Sequence, residues 1–276
     1  MNTTSVCRSY FEQPAVWEEE CRDTNSERQR FEEVLQQIPI EVQTLLDVGC
    51  GSGIFVNACK DHSNRAFRRI VGVDISTEAL KSVSTEKYHC TGTDLPFVDH
   101  EFDLVTSLEV LEHIASGDFA RVLKEIVRVA RKYVLVTVPN KEDLCQHLVI
   151  CRECFCCFNP WYHVRSFGSQ DMRNLFPEFE LIECRPIGPV SERFVYHPAI
   201  KGASLLYRRP AMPPNTICPQ CGYHQSSLQR FAAVATVPGK GRVVGGLVAK
   251  GKRLISSKSK MNKWLLALYQ RREYSC

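Results

Sequence analysis

Residues 45–55 read LLDVGCGSGIF. An apolar run carries an acid, Asp47, and three glycines follow at alternate positions, Gly49, Gly51 and Gly53. Glycine lets a turn close tightly and lets backbone approach a ligand. The stretch therefore predicts a strand, a ligand-facing turn and the start of a helix. In open α/β sheets, ligands lie outside the carboxyl ends of the strands. Dinucleotide folds also use a glycine-rich turn. Here, however, the GxGxG follows an acid directly, and the G-x-G-x-x-G spacing is not met.

Outward from this stretch, strand-like and helix-like runs alternate. Strands are expected at residues 44–48, 69–74, 88–91, 102–107 and 133–138, with helices at 53–62, 77–83 and 119–130 between them. This alternation means a parallel sheet covered by helices. Upstream, Phe31, Val34, Leu35 and Ile38 recur at helical spacing and predict an amphipathic helix over 27–37. Downstream, residues 140–165 are rich in Cys and aromatics. A helix over 170–176 and two more strands, 181–185 and 203–208, are expected next. Proline punctuation and CPQCG (218–222) follow.

Two further acids close strands. Asp74 ends IVGVDIS, where an acid is placed to hold a ribose diol. Asp94 follows the third strand in TGTDLPF, placed to accept from an adenine amino group. Together with Asp47 they describe an adenosine-binding edge. Each residue also has a plainer role open to it: Asp47 as a turn cap, Asp74 at a positive helix N-terminus, Asp94 as a turn former.

LLDVGCGSGIF, VGVDIS, TDLPF and FDLVTSLEVLEHI (102–114) stand in the order and spacing of the class I S-adenosylmethionine-dependent methyltransferases. The chain resembles the type 11 group of that family, closely over 41–139 and loosely to 209. The resemblance implies an α/β, Rossmann-like fold with seven strands, the last antiparallel. It implies S-adenosyl-L-methionine as cofactor, with Asp47 and Gly49, Gly51 and Gly53 near its methionine part. Asp74 and Ile75 would meet the ribose, and Asp94 and Leu95 the adenine. The resemblance puts His113 near the acceptor. His163, in WYHVRSF with Trp161, Tyr162 and Arg165, falls where the family shapes its acceptor pocket. An imidazole titrates near neutral pH, so both are candidates for proton removal, or else for ordering a loop and for packing. Residues 1–40 are expected to form a lid.

The resemblance points to O-methylation of a small-molecule, glycan or lipid-linked acceptor. The alternatives are an RNA or protein methyltransferase that docks through a basic tail, and a non-catalytic cofactor-binding scaffold.

Composition narrows the class without naming it. The 276 residues are 44% hydrophobic and 24% charged, which excludes a disordered, collagen-like or coiled-coil chain. No apolar run approaches the ~20 residues of a membrane span, and residues 1–14 lack a basic start and an apolar core. A cytoplasmic protein, peripheral to a membrane at most, is expected. The net charge of +4 conceals an asymmetry: residues 239–276 carry ten Lys and Arg and one acid. An anionic partner is expected for that tail. Met261, Trp264, Leu265 and Leu268 fall on one face of a helix over 258–272, which either docks on the body with its Lys and Arg solvated or lies on an anionic membrane surface, and is less suited to nucleic acid.

The chain has 14 cysteines. Cys151-x2-Cys154 and Cys218-x2-Cys221 offer four thiolates, the donor set of a structural Zn2+. Scattered reduced thiols or a redox disulfide pair are the alternatives, and Cys156, Cys157 and His163 are alternative ligands. The pairs lie far apart in sequence, and the connector would have to run back across the sheet to join them. The expected organisation is a lid (1–40), a methyltransferase domain (41–209) with a Cys-rich insertion (140–169), a connector (210–238) and a basic tail (239–276).

Overall fold

A computed structural model of the chain describes residues 8–20, 25–62, 67–145, 147–196, 212–213, 215–224 and 256–272, the side chains of 18–20, 193–196 and 256–258 excepted. Five strands come first: β1 (Thr44–Val48), β2 (Arg69–Asp74), β3 (Glu86–His89), β4 (Phe102–Leu108) and β5 (Ala130–Pro139). All pair in parallel. β4 is buried along its whole length, as a parallel strand covered on both faces must be. A separate hairpin, β6 (Val149–Ile150) with β7 (Cys157–Phe158), follows. β8 (Phe179–Tyr196) and β9 (Ser256–Arg271) complete the main sheet, whose order is β3-β2-β1-β4-β5-β9-β8. β9 runs antiparallel to both neighbours. The expected seven-stranded sheet with one antiparallel strand is present.

The helices are α1 (Pro14–Glu20), α2 (Asn25–Gln37), α3 (Ile54–Asp61), α4 (Ser116–Val129) and α5 (Ser169–Met172). Side chains alternate across a strand, and β5 divides its own accordingly. Val134, Val136 and Val138 pack with Val122, Ile126 and Val129 of α4. Tyr133 and Leu135 pack with Val34 of α2 and Phe55, Val56 and Cys59 of α3. The expected helix over 77–83 is only a 3₁₀ turn, Ala79–Ser82, and β3 begins two residues before its expected position.

The larger correction concerns the tail. Residues 258–272 are not a helix beside the body. All but Arg272 belong to β9, inserted between β5 and β8. Leu265, Ala267 and Tyr269 point to the α4 side, and Trp264, Leu266 and Leu268 to the other. The face expected to lie on a membrane is therefore core: Trp264, Leu265 and Leu268 are all buried. The expected strand at 203–208 lies outside the described residues. Among those described, no helix is long and apolar enough to cross a membrane.

β8 adapts to the large Trp264 ring. The pairing shifts between Ile187 and Val190, and Gly188 there has φ +74°, with an added Cβ 2.3 Å from Trp264. Only glycine fits that bulge without strain.

Candidate functional site

Strand order reverses between β1 and β4: β2 and β3 are laid outward on one side, β4 and β5 on the other. Ligands collect at such a switch point, outside the carboxyl ends of the strands. A cleft of about 850 Å³ opens there, lined among others by Asp47, Gly49, Gly51, Asp74, Ile75, Glu109, His113 and His163.

The turn after β1 is held by its neighbour strand. The Gly49 and Cys50 N–H groups both donate to Val73 O, at 2.8 and 3.0 Å. Gly49 has φ +79°, and an added Cβ would stand 2.4 Å from Val110 Cγ2. Gly49→Ala is thus strained in backbone and in packing. It is expected to cost about 1–3 kcal/mol, read as a lower urea midpoint; an unchanged midpoint would refute the rigidity of this turn. Gly53 starts α3 rather than lining the cleft.

Asp74 sits at the end of β2, buried, with both carboxylate oxygens engaged. Gly51 N–H donates to Oδ2 at 2.9 Å and Ser76 N–H to Oδ1 at 2.8 Å. Burial raises its pKa, and these backbone donors oppose the shift. Each oxygen still has a lone pair to offer. Asp47 accepts from the Thr106 hydroxyl at 2.6 Å, and burial pushes its pKa up to about 7. Ile75 lines the cleft beside Asp74. Asp94 is exposed and Leu95 buried, and neither lines the cleft. Thr91, Gly92 and Thr93 occupy the wall there instead.

Part of the N-terminal segment lies over this edge. Trp17 of α1 lies over Gly51, where an added Cβ would meet its ring at 3.0 Å. Its indole N–H donates to Phe11 O at 2.6 Å. Phe11 O also accepts from Ser76 Oγ at 2.7 Å, which ties the N-terminal segment to the loop after β2.

The far end of the cleft is acidic and histidine-rich. Glu109, just after β4, has φ +60°, an uncommon conformation for a side-chain-bearing residue. A 3₁₀ turn, Leu111–His113, follows. It brings Glu112, His113 and His163 together, with donor atoms within 4.8 Å of one another. The two imidazole centroids are 4.6 Å apart. Burial pushes the His113 pKa down to about 3, and the nearby His163 adds to the shift. His113 is therefore neutral at neutral pH and a weak proton acceptor. His163 Nδ1 is paired with the Glu142 carboxylate. Burial raises the pKa of Glu112, and the neighbouring Glu109 raises it further. The sequence reading named the two histidines but missed Glu109, Glu112 and Glu142. The signal for two of them was E-x-x-E-H (109–113) at a strand's carboxyl end.

The four cysteines also converge. The sulfurs of Cys151, Cys154, Cys218 and Cys221 lie within 4.8 Å of one another. Cys151 Sγ is 3.6 Å from Cys221 Sγ, and Cys154 Sγ is 3.5 Å from Cys218 Sγ. The two loops share one geometry. Phe155 N–H donates to Cys151 O at 3.1 Å, and Gly222 N–H to Cys218 O at 2.9 Å. Both Phe155 and Gly222 have positive φ, 58° and 74°.

The profile of the methyltransferase domain family (Methyltransf_11) matches residues 46–136. Among curated proteins, the chain is 36% identical over 104 residues to an uncharacterized protein of Methanocaldococcus jannaschii, covering 36% of this chain and 42% of that one. It is 30% identical over 133 residues to a small RNA 2'-O-methyltransferase of Arabidopsis thaliana, 42% of this chain and 14% of that one. It is 26% identical over 157 residues to a ubiquinone biosynthesis O-methyltransferase of Neisseria meningitidis serogroup C, 52% of this chain and 62% of that one. The chain thus spans less than two thirds of each of these relatives. Among solved structures, it resembles the complex of the Haloferax volcanii Trm112 methyltransferase activator and a putative methyltransferase, with a TM-score of 0.55 and 18% identity over 95% of this chain and 99% of that one. It also resembles the magnesium protoporphyrin IX methyltransferase of Synechocystis with bound SAH, with a TM-score of 0.52 and 14% identity over 67% and 94%. At these identities the two structures speak to the fold.

Proposed function

Because residues 46–136 carry a class I S-adenosylmethionine-dependent methyltransferase domain, we propose that the chain methylates an oxygen of a small-molecule, glycan or lipid-linked acceptor. The observation that carries the reading is Asp74: a buried carboxylate fixed by two backbone N–H groups at the switch point, beside a cleft of about 850 Å³. S-adenosylmethionine supplies a methyl group on a sulfonium sulfur, a good leaving group. Its residues here fit that donor. Gly49 and Gly51 let backbone approach it, and Asp74 keeps lone pairs for a ribose diol. Asp47, at the end of β1, stands toward the methionine part in this reading. Trp17 and Phe11 close over this edge and keep water out.

Methyl transfer needs alignment above all. The cleft continues from the donor edge to the Glu/His cluster, and this reaction space supports turnover over a scaffold role. Oxygen as the acceptor atom is supported by the names of the relatives, a small RNA 2'-O-methyltransferase and ubiquinone O-methyltransferases. The first favours a second reading, an RNA acceptor. We assign the four thiols to a structural Zn2+, on their soft donor chemistry and the gathering of all four sulfurs within 4.8 Å of one another.

Calorimetry with S-adenosylmethionine tests the donor site. Asp74→Ala is expected to raise Kd by roughly 100-fold, since hydrogen bonds to charged groups contribute about 1.5–3 kcal/mol each; an unchanged Kd would remove the assignment. Labelled methyl incorporation into fractionated lysate separates small-molecule, protein and RNA acceptors. Label on nitrogen alone would overturn the oxygen reading.

A further inference from the structure

Helix α2 turns a buried cation into the cleft. Arg30 is only 7% exposed and lines the cleft wall. Its guanidinium lies 4.7 Å from the ring centroid of Phe31 on the same helix and 4.9 Å from that of Trp264 on β9. Guanidinium groups stack on aromatic faces at such distances, and two rings together fix where the fork points.

The fork has little to hold. A guanidinium carries five N–H donors. Here Nε is buried with no hydrogen-bond partner among the described residues. The carboxylate facing it, Glu109, stands 3.8 Å from Nη1, beyond hydrogen-bonding distance. A buried charge is costly unless it is paired and hydrogen-bonded. Lys263 adds a second cation at the rim of the same wall, its Nζ 4.3 Å from the Trp264 ring centroid. Glu27 and Glu192 also line the cleft, but both are exposed, where salt screens them.

We propose that Arg30, held by Phe31 and Trp264 with Lys263 at the rim, is an anion subsite that binds a carboxylate or phosphate group of a small acceptor through two parallel N–H···O bonds. The inference rests on the methyl-acceptor reading above and narrows it to anionic acceptors. A planar fork matches the edge of a carboxylate or phosphate, and paired charge-assisted bonds fix direction as well as affinity. A fork this deep suits a small ligand that enters the cleft. Glu109 is common to the subsite and to the reaction space, since it faces Arg30 and neighbours Glu112. An acceptor anchored by its anionic end on Arg30 is thus held with its nearby hydroxyl toward the Glu/His cluster. Fixing one end of a substrate in this way turns binding into alignment.

Inorganic phosphate is the probe, added to the isotope-labelled full chain saturated with S-adenosylhomocysteine so that the donor edge is filled. The Arg30 Nε–H resonance, identified by its loss in Arg30→Lys, is expected to move with phosphate and to half-saturate at roughly 1–10 mM, the weak end of specific binding. Arg30→Gln should bind phosphate at least about tenfold more weakly, whereas Arg121→Gln, an exposed position on α4, should match wild type. Unchanged affinity for S-adenosylmethionine by calorimetry certifies the folding of both. If Arg30→Gln fails to fold, Arg30→Lys, which keeps the charge without the fork, replaces it, with a loss of roughly threefold expected. A resonance that stays fixed up to about 50 mM phosphate, or equal binding by wild type and the folded Arg30 variant, overturns the subsite.

Turnover gives the second readout. The labelled product from fractionated lysate should pass an ultrafiltration membrane and be retained by an anion exchanger at neutral pH. Arg30→Gln should raise its KM at least about 30-fold with kcat little changed, as expected when one partner of a buried charge pair is removed. A neutral product methylated on oxygen overturns the subsite and leaves the oxygen reading standing. An anionic product methylated on nitrogen does the reverse. Label held back by the membrane and released by ribonuclease would place the phosphate on RNA and overturn the small acceptor.

Discussion

A chain that stops before Ser256 is expected to lose its native fold altogether. β9 is hydrogen-bonded on both sides, to β5 and to β8. Its six consecutive residues from Trp264 to Tyr269 are all buried. Fully burying a large apolar side chain contributes about 1.5–3 kcal/mol, so the strand contributes on the order of 10 kcal/mol. That equals the whole stability of an ordinary domain, about 5–15 kcal/mol. Truncation also bares two long strand edges, a template for aggregation. The measurement is a thermal melt followed by circular dichroism. The truncated chain should show no cooperative transition and should precipitate, whereas a chain ending after Arg272 should melt like the full one. A cooperative melt with native donor affinity in the shorter chain would make the tail an appendage after all.

That contrast shows where the sequence was legible. Glycines and strand-end acids announce themselves locally, because each answers a local demand: a positive φ at Gly49, a fixed carboxylate at Asp74. The run WLLALY (264–269) makes no such demand. Positions 261, 264, 265 and 268 satisfy a helical stripe, while a strand buried on both faces is apolar throughout, and periodicity cannot separate the two. Leu and Ala favour the helix. The sheet decides otherwise, because β5 and β8 need a strand between them. The partners that decide it are distant in the chain, from the Tyr196↔Ser256 pair at the nearest to Tyr133↔Gln270 at the farthest.

The site divides in the same way. Asp47, Gly49, Gly51, Asp74 and Ile75 reach the cleft as their strand-end positions imply. Asp94 does not, since its turn sends the side chain outward and leaves the wall to Thr91, Gly92 and Thr93. Glu109 and Glu112 were in plain view within a quoted segment. Their meaning appears only when the chain returns with His163 and Glu142, and no spacing rule carries across such a gap.

Removal of the metal assigned to the thiol cluster should have the second large effect. Tetrahedral Zn2+ with Zn–S near 2.3 Å places its sulfurs about 3.8 Å apart. The observed 3.5 and 3.6 Å approaches are close to that and far from the roughly 2.05 Å of a disulfide. The module has only a small apolar core of its own, Val149, Phe158, Tyr162 and Met212 among it. It also touches the N-terminal segment: Gln13 Nε2 donates to Asn215 O at 2.9 Å, and the Tyr10 and Tyr162 rings lie 4.8 Å apart. Zinc sites in small peptides contribute about 10–16 kcal/mol to folding. If about 4 kcal/mol of this reaches the main transition, the melting temperature falls by roughly 10 °C, at ~2–4 °C per kcal/mol. Cys154→Ser with Cys221→Ser should therefore lose the metal, melt about 10 °C lower and bind S-adenosylmethionine more weakly, because the N-terminal segment is loosened with its anchor. The sheet should survive, since the apolar cluster of these loops is separate from the two that pack on the sheet. Elemental analysis of protein purified without chelator is expected to find about one equivalent of Zn2+ in this cluster. Less than about a tenth of an equivalent, with an unaltered melt in the double variant, would reduce the cluster to four packed thiols.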